Sequence, residues 1–297
     1  MNLGEFKPII CSYVRRLPYF HSQSVSLNLA PIIKNSCCQP ITTQCLTTMF
    51  NNKLKASLIH FLFSALLVGG FVAFALLVWY PDPILEISGL RNILLILVSV
   101  DLVLGPLLTF IVYNPLKKSL KFDLAAIIAV QLGALGYGMY TIYQGHPVYI
   151  TYTVDRFTLV TAQEAKPETA KYPEYQVTTF GKPVYAFSAP PKDPEELSKL
   201  TLKVMSGEEP DIDQQPKYYE PFDKNQDAVL ANKYSADKLQ VDPANKEKLT
   251  AFLTKKGLTL EQSIFIPLAG KEKDVIWVWN KETKAPVGYL DINPWKV

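Results

Sequence analysis

Three long apolar segments constrain the fold of this chain more than any other feature of its sequence. Each reaches the ~20 residues that an α-helix needs to cross ~30 Å of hydrocarbon. In residues 54–80, 92–113 and 124–143, the side chains that can carry a charge near neutral pH are Lys55, His60 and Asp101. We therefore expect a three-helix transmembrane bundle. The predicted helices cover about residues 55–80, 92–113 and 122–143, within a membrane part at 49–143.

The first segment also has features of a cleaved signal peptide. Lys53 and Lys55 precede an apolar core, and Ala-Phe-Ala at 73–75 mimics a cleavage site. The apolar run nevertheless continues to Trp79, well past the ~7–15 residues of a signal core. The sequence therefore predicts an uncleaved membrane anchor.

Basic residues near the ends of the predicted helices indicate the orientation of the chain in the membrane. Lysines precede the first helix and fill the loop between the second and third, whereas the intervening loop holds only Arg91, beside Asp82 and Glu86. The lysines concerned are Lys53, Lys55, Lys117, Lys118 and Lys121. Loops rich in Lys and Arg remain in the cytoplasm. We therefore expect a cytoplasmic N-terminus and a periplasmic C-terminal domain at residues 144–297.

The first 48 residues differ from the rest of the chain. They hold all 4 cysteines and show no sustained helical or strand period. The adjacent Cys37 and Cys38 lack the spacing of a zinc-binding pair, so we expect no metal site here. A short basic stretch beginning at Met49 leads directly into the first helix. Residues 1–48 are therefore predicted to be a disordered or spurious extension, and both Met1 and Met49 remain possible translation starts.

The segment after the third helix is nearly neutral, with 20 Lys plus Arg against 22 Asp plus Glu in residues 144–297. The absence of a basic patch argues against nucleic acid as a partner. The segment contains no cysteine, so its ~150 residues must be held together by a hydrophobic core without disulfides.

Local patterns predict a small α+β fold for this domain. The predicted strands cover residues 148–154, 157–161, 276–280 and 287–292, the last two as a terminal hairpin. Two helices are predicted to begin after Asp193 and Asp242, each followed by proline, and to end before Gly207 and Gly257. The Pro- and Asp-rich stretch 208–227 predicts an irregular loop.

The domain offers little catalytic chemistry. Its sequence has no glycine-rich phosphate loop, no nucleophile elbow and no pair of zinc-binding histidines. His146 is its single histidine and is expected to pack at the membrane exit. Asp155 and Arg156 are expected to form a local salt bridge at the same junction. We therefore predict a non-enzymatic protein without cofactor or bound metal.

Asp101, Gly105 and Pro106 form a polar notch in the second helix. An aspartate near the bilayer centre costs ~2.5–3.5 kcal/mol on insertion scales, so it requires a compensating contact. Pro106 cannot donate to the carbonyl of Leu102, which predicts a kink near Gly105 and free backbone carbonyls. We expect this notch to contact another helix.

The third helix supplies a candidate partner for the notch. Antiparallel pairing places Gln131 within about one turn of the depth of Asp101. Ala125, Ala129 and Gly133 form a small-residue face, which lies about 200° from Gln131 around the helix. Two alternatives follow: these residues either join the three helices to one another or hold the helix of a partner.

Several motifs together resemble the type IV pilin accessory proteins of the TfpX/TfpZ family, over residues 49–297. They are VWYPDP after the first helix, DLVLGPLLT in the second, FDLAAIIAVQLGALGYGMY in the third, HPVYITYTVDRF after it and the closing PW. The resemblance implies an inner-membrane protein of a Gram-negative bacterium that associates with the major pilin and supports its assembly or surface display. It implies no catalytic residues.

This resemblance leads to a functional hypothesis. Pilin subunits are held in the inner membrane by an apolar N-terminal helix, which the polar notch would cradle while the outer domain contacts the pilin head. The expected partners are the major pilin, other pilus assembly proteins and membrane lipid. The alternative is a membrane-anchored pilin-modifying enzyme, which would need a catalytic cluster near His146, Asp155 and Arg156.

Overall fold

The three apolar segments form helices. A computed structural model describes residues 43–177, 179–231 and 234–296. Within these residues, three helices are long and apolar enough to cross a membrane, which confirms the expected bundle. The first is α1 (Thr43–Phe74), continued by a π-helical turn at Ala75–Trp79, and a short helix α2 (Ile84–Ile87) follows. The second comprises α3 (Leu90–Ser99), a π-helical turn (Val100–Leu104) and α4 (Gly105–Val112), and the third is α5 (Leu120–Gly145).

The first helix begins earlier than the sequence pattern indicated. Because α1 starts at Thr43, residues 43–48 are helical and the expectation of a disordered extension is wrong for them. Adding turns to an existing helix is easier than nucleating one, so the membrane span extends readily in this direction. The expectation for residues 1–42 lies outside the described residues.

The irregularity expected near Gly105 is a π-helical turn that ends just before this residue. The turn spans Val100–Leu104 and contains Asp101. Pro106 provides no N–H for the carbonyl of Leu102, and a wider turn accommodates that loss. Single π-helical turns of this kind are frequent at functional sites.

The outer domain is built on a mixed sheet. In the described part of the chain its strand order is β4-β3-β1-β2-β5-β6-β7. The strands are β1 (Pro147–Thr153), β2 (Arg156–Thr161), β3 (Val184–Ser188), β4 (Tyr219–Pro221), β5 (Ser263–Ala269), β6 (Val275–Asn280) and β7 (Ala285–Leu290). β1 pairs in parallel with β3, and β2 with β5, while the other neighbours are antiparallel.

Helices complete the predicted α+β fold. They are α6 (Pro194–Ser206), α7 (Phe222–Ala231), α8 (Ala236–Leu239) and α9 (Pro243–Lys256). The two predicted N-caps are confirmed, since Asp193 accepts a hydrogen bond from the backbone N–H of Glu195 and Asp242 from that of Ala244. The prediction of an irregular loop at 208–227 is wrong in part, because this stretch contains β4 and the start of α7.

The sheet is strongly curved around an aromatic core. Tyr185 of β3 stacks on Trp277 of β6 with ring centroids 5.8 Å apart, although three strands lie between them in the sheet. Phe157 is fully buried inside this curve and stacks on Trp279. On the opposite face, α8 and α9 cover a second core that includes Phe265. A third cluster of buried residues in the described part of the domain includes Tyr149, Tyr175 and Tyr219.

The loop between the first and second apolar helices inserts into the outer domain. Ile84 and Ile87 are buried, and the backbone N–H of Glu272 donates to the carbonyl of Ile87 at 2.9 Å. Lys273 lies 3.7 Å from the carboxylate of Glu86. One hydrophobic core consequently runs from the helix ends into the concave face of the sheet. The bundle and the outer domain are thereby joined without a flexible linker, and residues 48–297 form one compact unit.

Candidate functional site

A long groove lies among the three apolar helices. Its volume is about 570 Å³. The first helix contributes one of its faces, the third helix another, and the second helix three residues. The lining residues are Asn52, Lys55, Ala56, Ile59, His60, Phe63, Ser64, Leu67 and Val68; Asp101, Thr109 and Tyr113; and Leu124, Ile128, Gln131, Leu132 and Leu135. The site is therefore an apolar channel with a few polar side chains, located inside the predicted membrane span.

Two side-chain hydrogen bonds hold the first helix against the second. The hydroxyl of Ser57 donates to the carbonyl of Pro106 at 2.8 Å. The Nδ1 atom of His60 lies 2.6 Å from the hydroxyl of Thr109. Pro106 lies in the first turn of α4, and its carbonyl oxygen has two lone pairs, so it can accept this bond in addition to one within the helix. The notch predicted at this point thus forms an internal helix contact and one edge of the groove.

Asp101 lines the groove from the π-helical turn. Its residue is only 4% exposed. Within the described ranges, neither a hydrogen bond nor an ion pair reaches its carboxyl group, and His60 interacts with it electrostatically. A buried carboxyl group in apolar surroundings normally has a hydrogen-bonding or charged partner. The structure therefore places a carboxyl group of a largely buried residue at the groove, near His60.

Gln131, on the third helix, lies against Gly105 of the second helix. A Cβ atom at position 105 would be 1.8 Å from the Nε2 atom of Gln131, so glycine is what admits this side chain. The residue is 8% exposed, and both polar atoms of its amide are buried without a hydrogen-bond partner in the described structure. Gly105 is one turn from Asp101, which brings the two polar groups into the same part of the groove.

These polar groups determine which occupant the groove favours. A buried donor or acceptor without a partner costs ~1–3 kcal/mol. An occupant that hydrogen bonds to both side chains would recover much of this cost, whereas a purely apolar occupant would leave it in place. The arrangement therefore favours binding of a segment that is mostly apolar and carries a polar group at this depth.

Comparisons with known proteins agree with a membrane-associated assembly protein. The family profile of the fimbrial assembly protein FimB matches residues 48–89. The fimbrial assembly protein of serogroup I from Dichelobacter nodosus is 32% identical over 229 residues, covering 72% of this chain and 85% of that protein. The chain belongs to the family of fimbrial assembly proteins. Two further relatives from the same organism are 30% identical over 233 residues (serogroup E1) and 40% identical over 111 residues (serogroups C1 and C2).

The match to the serogroup E1 protein covers 72% of this chain and 85% of that protein. The match to the protein of serogroups C1 and C2 covers 36% of this chain and 82% of that protein. The matched family segment contains the groove-lining face of the first helix and the loop that inserts into the outer domain. No solved structure matches the chain. The family indicates a role in fimbrial assembly and leaves the mechanism to be proposed from the site.

The small-residue face of the third helix is not the face that packs within the bundle. Ala125, Ala129 and Gly133 are all exposed, and a Cβ atom at Gly133 would meet no atom within 4 Å. The third helix instead approaches the second at Gly138, where a Cβ atom would lie 2.7 Å from Leu97. Of the two predicted faces of the third helix, the one with Gln131 therefore forms the groove.

His146 forms a packed junction where the third helix meets β1. Its ring stacks on Trp79 with centroids 4.5 Å apart. Its two ring nitrogens face the backbone carbonyls of Tyr143 and Thr179. The indole N–H of Trp79 donates to the carbonyl of Phe180 at 3.3 Å. Since both nitrogens lie against backbone carbonyls and the residue is fully buried, His146 has a structural role at this junction.

This junction predicts a dependence of stability on pH. Burial lowers the pKa of His146 below its usual value of 6.5, although the two carbonyls oppose the shift. The unfolded chain therefore binds a proton more readily, and the free energy of unfolding falls as the pH drops below 6.5. We expect the melting temperature to fall more between pH 7.5 and 5 in the native protein than in His146→Gln. Equal slopes for the two proteins would contradict this assignment.

Asp155 and Arg156 do not belong to the membrane-exit junction, so that prediction is wrong. Their salt bridge exists, with 2.8 Å between Arg156 Nε and Asp155 Oδ1. The pair lies in the turn between β1 and β2, at the opposite end of β1 from His146. A strand of this length spans roughly 23 Å, so the pair is at the far tip of the domain. Arg156 there packs over the ring of Trp295 at 4.3 Å.

Sequence reasoning missed the contribution of the first helix to the groove. Ser57, His60 and Ser64 all face the second helix or the groove. They recur at spacings of three and four residues, which places them on one side of a helix. This polar stripe in an apolar helix was the available signal. Within residues 43–177, 179–231 and 234–296, no three His, Cys, Asp or Glu side chains gather as metal ligands.

Proposed function

We propose that this protein is a non-enzymatic accessory protein of type IV pilus biogenesis, of the TfpX/TfpZ kind, which holds the transmembrane helix of the major pilin in its groove before assembly. The observation that carries the proposal is an intramembrane groove that holds the buried residue Asp101 and the amide of Gln131, whose polar atoms are buried without a hydrogen-bond partner in the described structure. Membership of the fimbrial assembly family supports a role in pilus biogenesis. The groove supports the proposal that the protein holds a transmembrane helix.

The length of the groove fits a transmembrane helix. Its lining on the first helix runs from Asn52 to Val68, which corresponds to roughly 24 Å along the helix axis. This is most of the ~30 Å hydrocarbon thickness. A lipid acyl chain also fits an apolar channel, but it has no group that bonds to the amide of Gln131. The polar groups in the middle of the groove therefore favour a protein helix.

The outer domain is proposed to provide a second contact, to the globular part of the same subunit. Because the loop containing Ile84 and Ile87 fixes the domain to the bundle, both contacts are presented in one geometry. Coupling two weak contacts raises the effective concentration of the second without requiring tight binding at either. A subunit held in this way can still leave for the growing pilus.

We propose an inner-membrane location with a cytoplasmic N-terminus and a periplasmic C-terminal domain. The lysines at the two predicted cytoplasmic positions support this orientation. A periplasm-dependent reporter fused after Val297 is expected to be active, and the same reporter inserted between Lys117 and Lys118 is expected to be inactive. The reverse pattern would contradict the orientation and remove the outer contact to the pilin.

Photocrosslinking from inside the groove tests the proposed function. A photoreactive phenylalanine analogue at Phe63, which lines the groove, is expected to crosslink the major pilin in native membranes. The matched control is the same analogue at Phe61, two residues away and outside the lining set. Equal yields from the two positions, or no pilin adduct from Phe63, would refute holding in the groove. A changed mass of pilin that depends on the protein would favour the modifying enzyme.

A further inference from the structure

We propose that the outer domain rests on the lipid bilayer through residues 179–183, which place the ring of Phe180 among the phospholipids at the membrane surface. The partner is the phospholipid of the leaflet that adjoins the outer domain. The proposal depends on the membrane-spanning bundle and is independent of what occupies the groove.

The register of the sheet places this segment at the level where the third helix ends. β1 begins at Pro147, two residues after α5 ends at Gly145. β3 runs parallel to β1, with Val184 opposite Tyr149. The residues just before Val184 therefore lie beside the residues just before Tyr149, where the chain leaves the third helix.

Direct contacts tie the same segment to the ends of two membrane helices. The hydroxyl of Thr179 lies 2.6 Å from that of Tyr143, in the last turn of the third helix. The carbonyl of Phe180 accepts the hydrogen bond from the indole of Trp79, at the end of the first helix. Trp and Tyr are enriched where helices leave the bilayer. The segment is thus held at the depth of the interfacial aromatic residues.

The ring of Phe180 extends this aromatic layer beyond the helices. It stacks on the ring of Tyr143 with centroids 5.0 Å apart, yet the residue is 62% exposed. Tyr140 and Tyr137, about one and two turns deeper on the third helix, are exposed as well. Because the surface of the membrane helix continues directly into the ring of Phe180, phospholipid is the occupant that this exposed ring meets.

The charge of the surrounding stretch indicates that the contact is apolar. Residues 162–183, between β2 and β3, contain three lysines and three glutamates. A balanced stretch lacks the excess of basic residues that attracts a segment to anionic headgroups. We therefore expect the ring to contact neutral and anionic phospholipids equally well.

Photocrosslinking to lipid tests the proposal. The full-length protein is reconstituted in phosphatidylcholine vesicles with a photoreactive phenylalanine analogue at Phe180, Tyr137 or Val154. Tyr137 is an exposed position within the third helix, whereas Val154 is 75% exposed in the turn at the opposite end of β1. Mass spectrometry counts the phospholipid adducts. We expect similar yields from Phe180 and Tyr137 and about tenfold less from Val154, since interfacial groups lie only ~5–10 Å into the headgroup and acyl boundary.

The analogue retains an aromatic ring, so the stacking on Tyr143 is preserved. A yield from Phe180 as low as that from Val154, with adducts still forming from Tyr137, would overturn the proposal by placing the ring in water. Adducts from Phe180 to a protein instead of lipid in native membranes would also overturn it, by assigning the ring to a protein partner. Equal yields in vesicles with and without anionic phospholipid would support the apolar contact, and a yield that requires anionic phospholipid would contradict it.

Discussion

Replacing Gly270 with alanine is expected to detach the inserted loop from the outer domain and to destabilise the protein by about 3 kcal/mol. A Cβ atom at this position would lie 2.4 Å from the carbonyl oxygen of Lys273 and 2.5 Å from that of Ile87. Both are backbone atoms, so neither can rotate away as a side chain would. Relief of the clash requires movement of the loop, with loss of the hydrogen bond from Glu272 to Ile87.

Limited proteolysis and thermal unfolding in detergent would measure this effect. We expect faster cleavage near the loop and a lower melting temperature for Gly270→Ala. The matched control is Gly136→Ala, because a Cβ atom at Gly136 would meet no atom within 4 Å. Equal stability of the two variants would show that the loop tolerates displacement and that the junction is not rigid.

Replacing Phe157 with alanine is expected to cost about 3–5 kcal/mol, the range observed when a large buried aromatic residue is removed. Its ring is fully buried and lies at the centre of the curved sheet. It contacts Tyr152, Tyr185, Phe222, Trp277 and Trp279, with ring centroids 5.2–6.4 Å apart. No neighbouring side chain can fill the space without abandoning its own packing.

Near-ultraviolet circular dichroism and denaturant unfolding would detect this loss. Phe157→Ala is expected to lose both aromatic signal and stability, while Leu202→Ala, at a residue 65% exposed on α6, should change neither. If Phe157→Ala unfolded at the same denaturant concentration as the native protein, the aromatic cluster would not support the outer domain.

The parts of the fold that could be predicted from the sequence are those that local physical chemistry decides. Apolar length alone identified the three membrane helices. The Asp-Pro starts and glycine ends identified α6 and α9, because capping is a matter of the few residues around a helix end. Alternating β-branched and aromatic residues identified β1 and β2 in the same way.

The elements that were missed depend on contacts between distant residues. β5 is buried over nearly its whole length and contains Pro267, so it lacks both the alternation and the composition of a typical strand. β3 has five residues and is stabilised by its parallel pairing with β1. In the stretch expected to be a loop, pairing with β3 makes a strand of Tyr219–Pro221. No local pattern reports such pairings.

The residues of the candidate site could also be predicted from the sequence, whereas their arrangement could not. Asp101, Gly105, Pro106 and Gln131 stand out because polar and helix-breaking residues are rare in apolar spans. Their arrangement required the structure: Gly105 admits Gln131, while Pro106 accepts from Ser57. The placement of Asp155 and Arg156 at the membrane exit was wrong because the length of β1 carries them to its far end.

Counting surface fimbriae tests whether the groove must be occupied during fimbrial assembly. In a strain whose only copy carries Ile128→Trp, a bulky ring would fill the groove, whereas Val130→Trp places the same ring on the outward face, where Val130 is 73% exposed. With equal protein levels in the membrane, we predict few or no fimbriae for Ile128→Trp and normal numbers for Val130→Trp. Normal fimbriae in both strains would contradict the account.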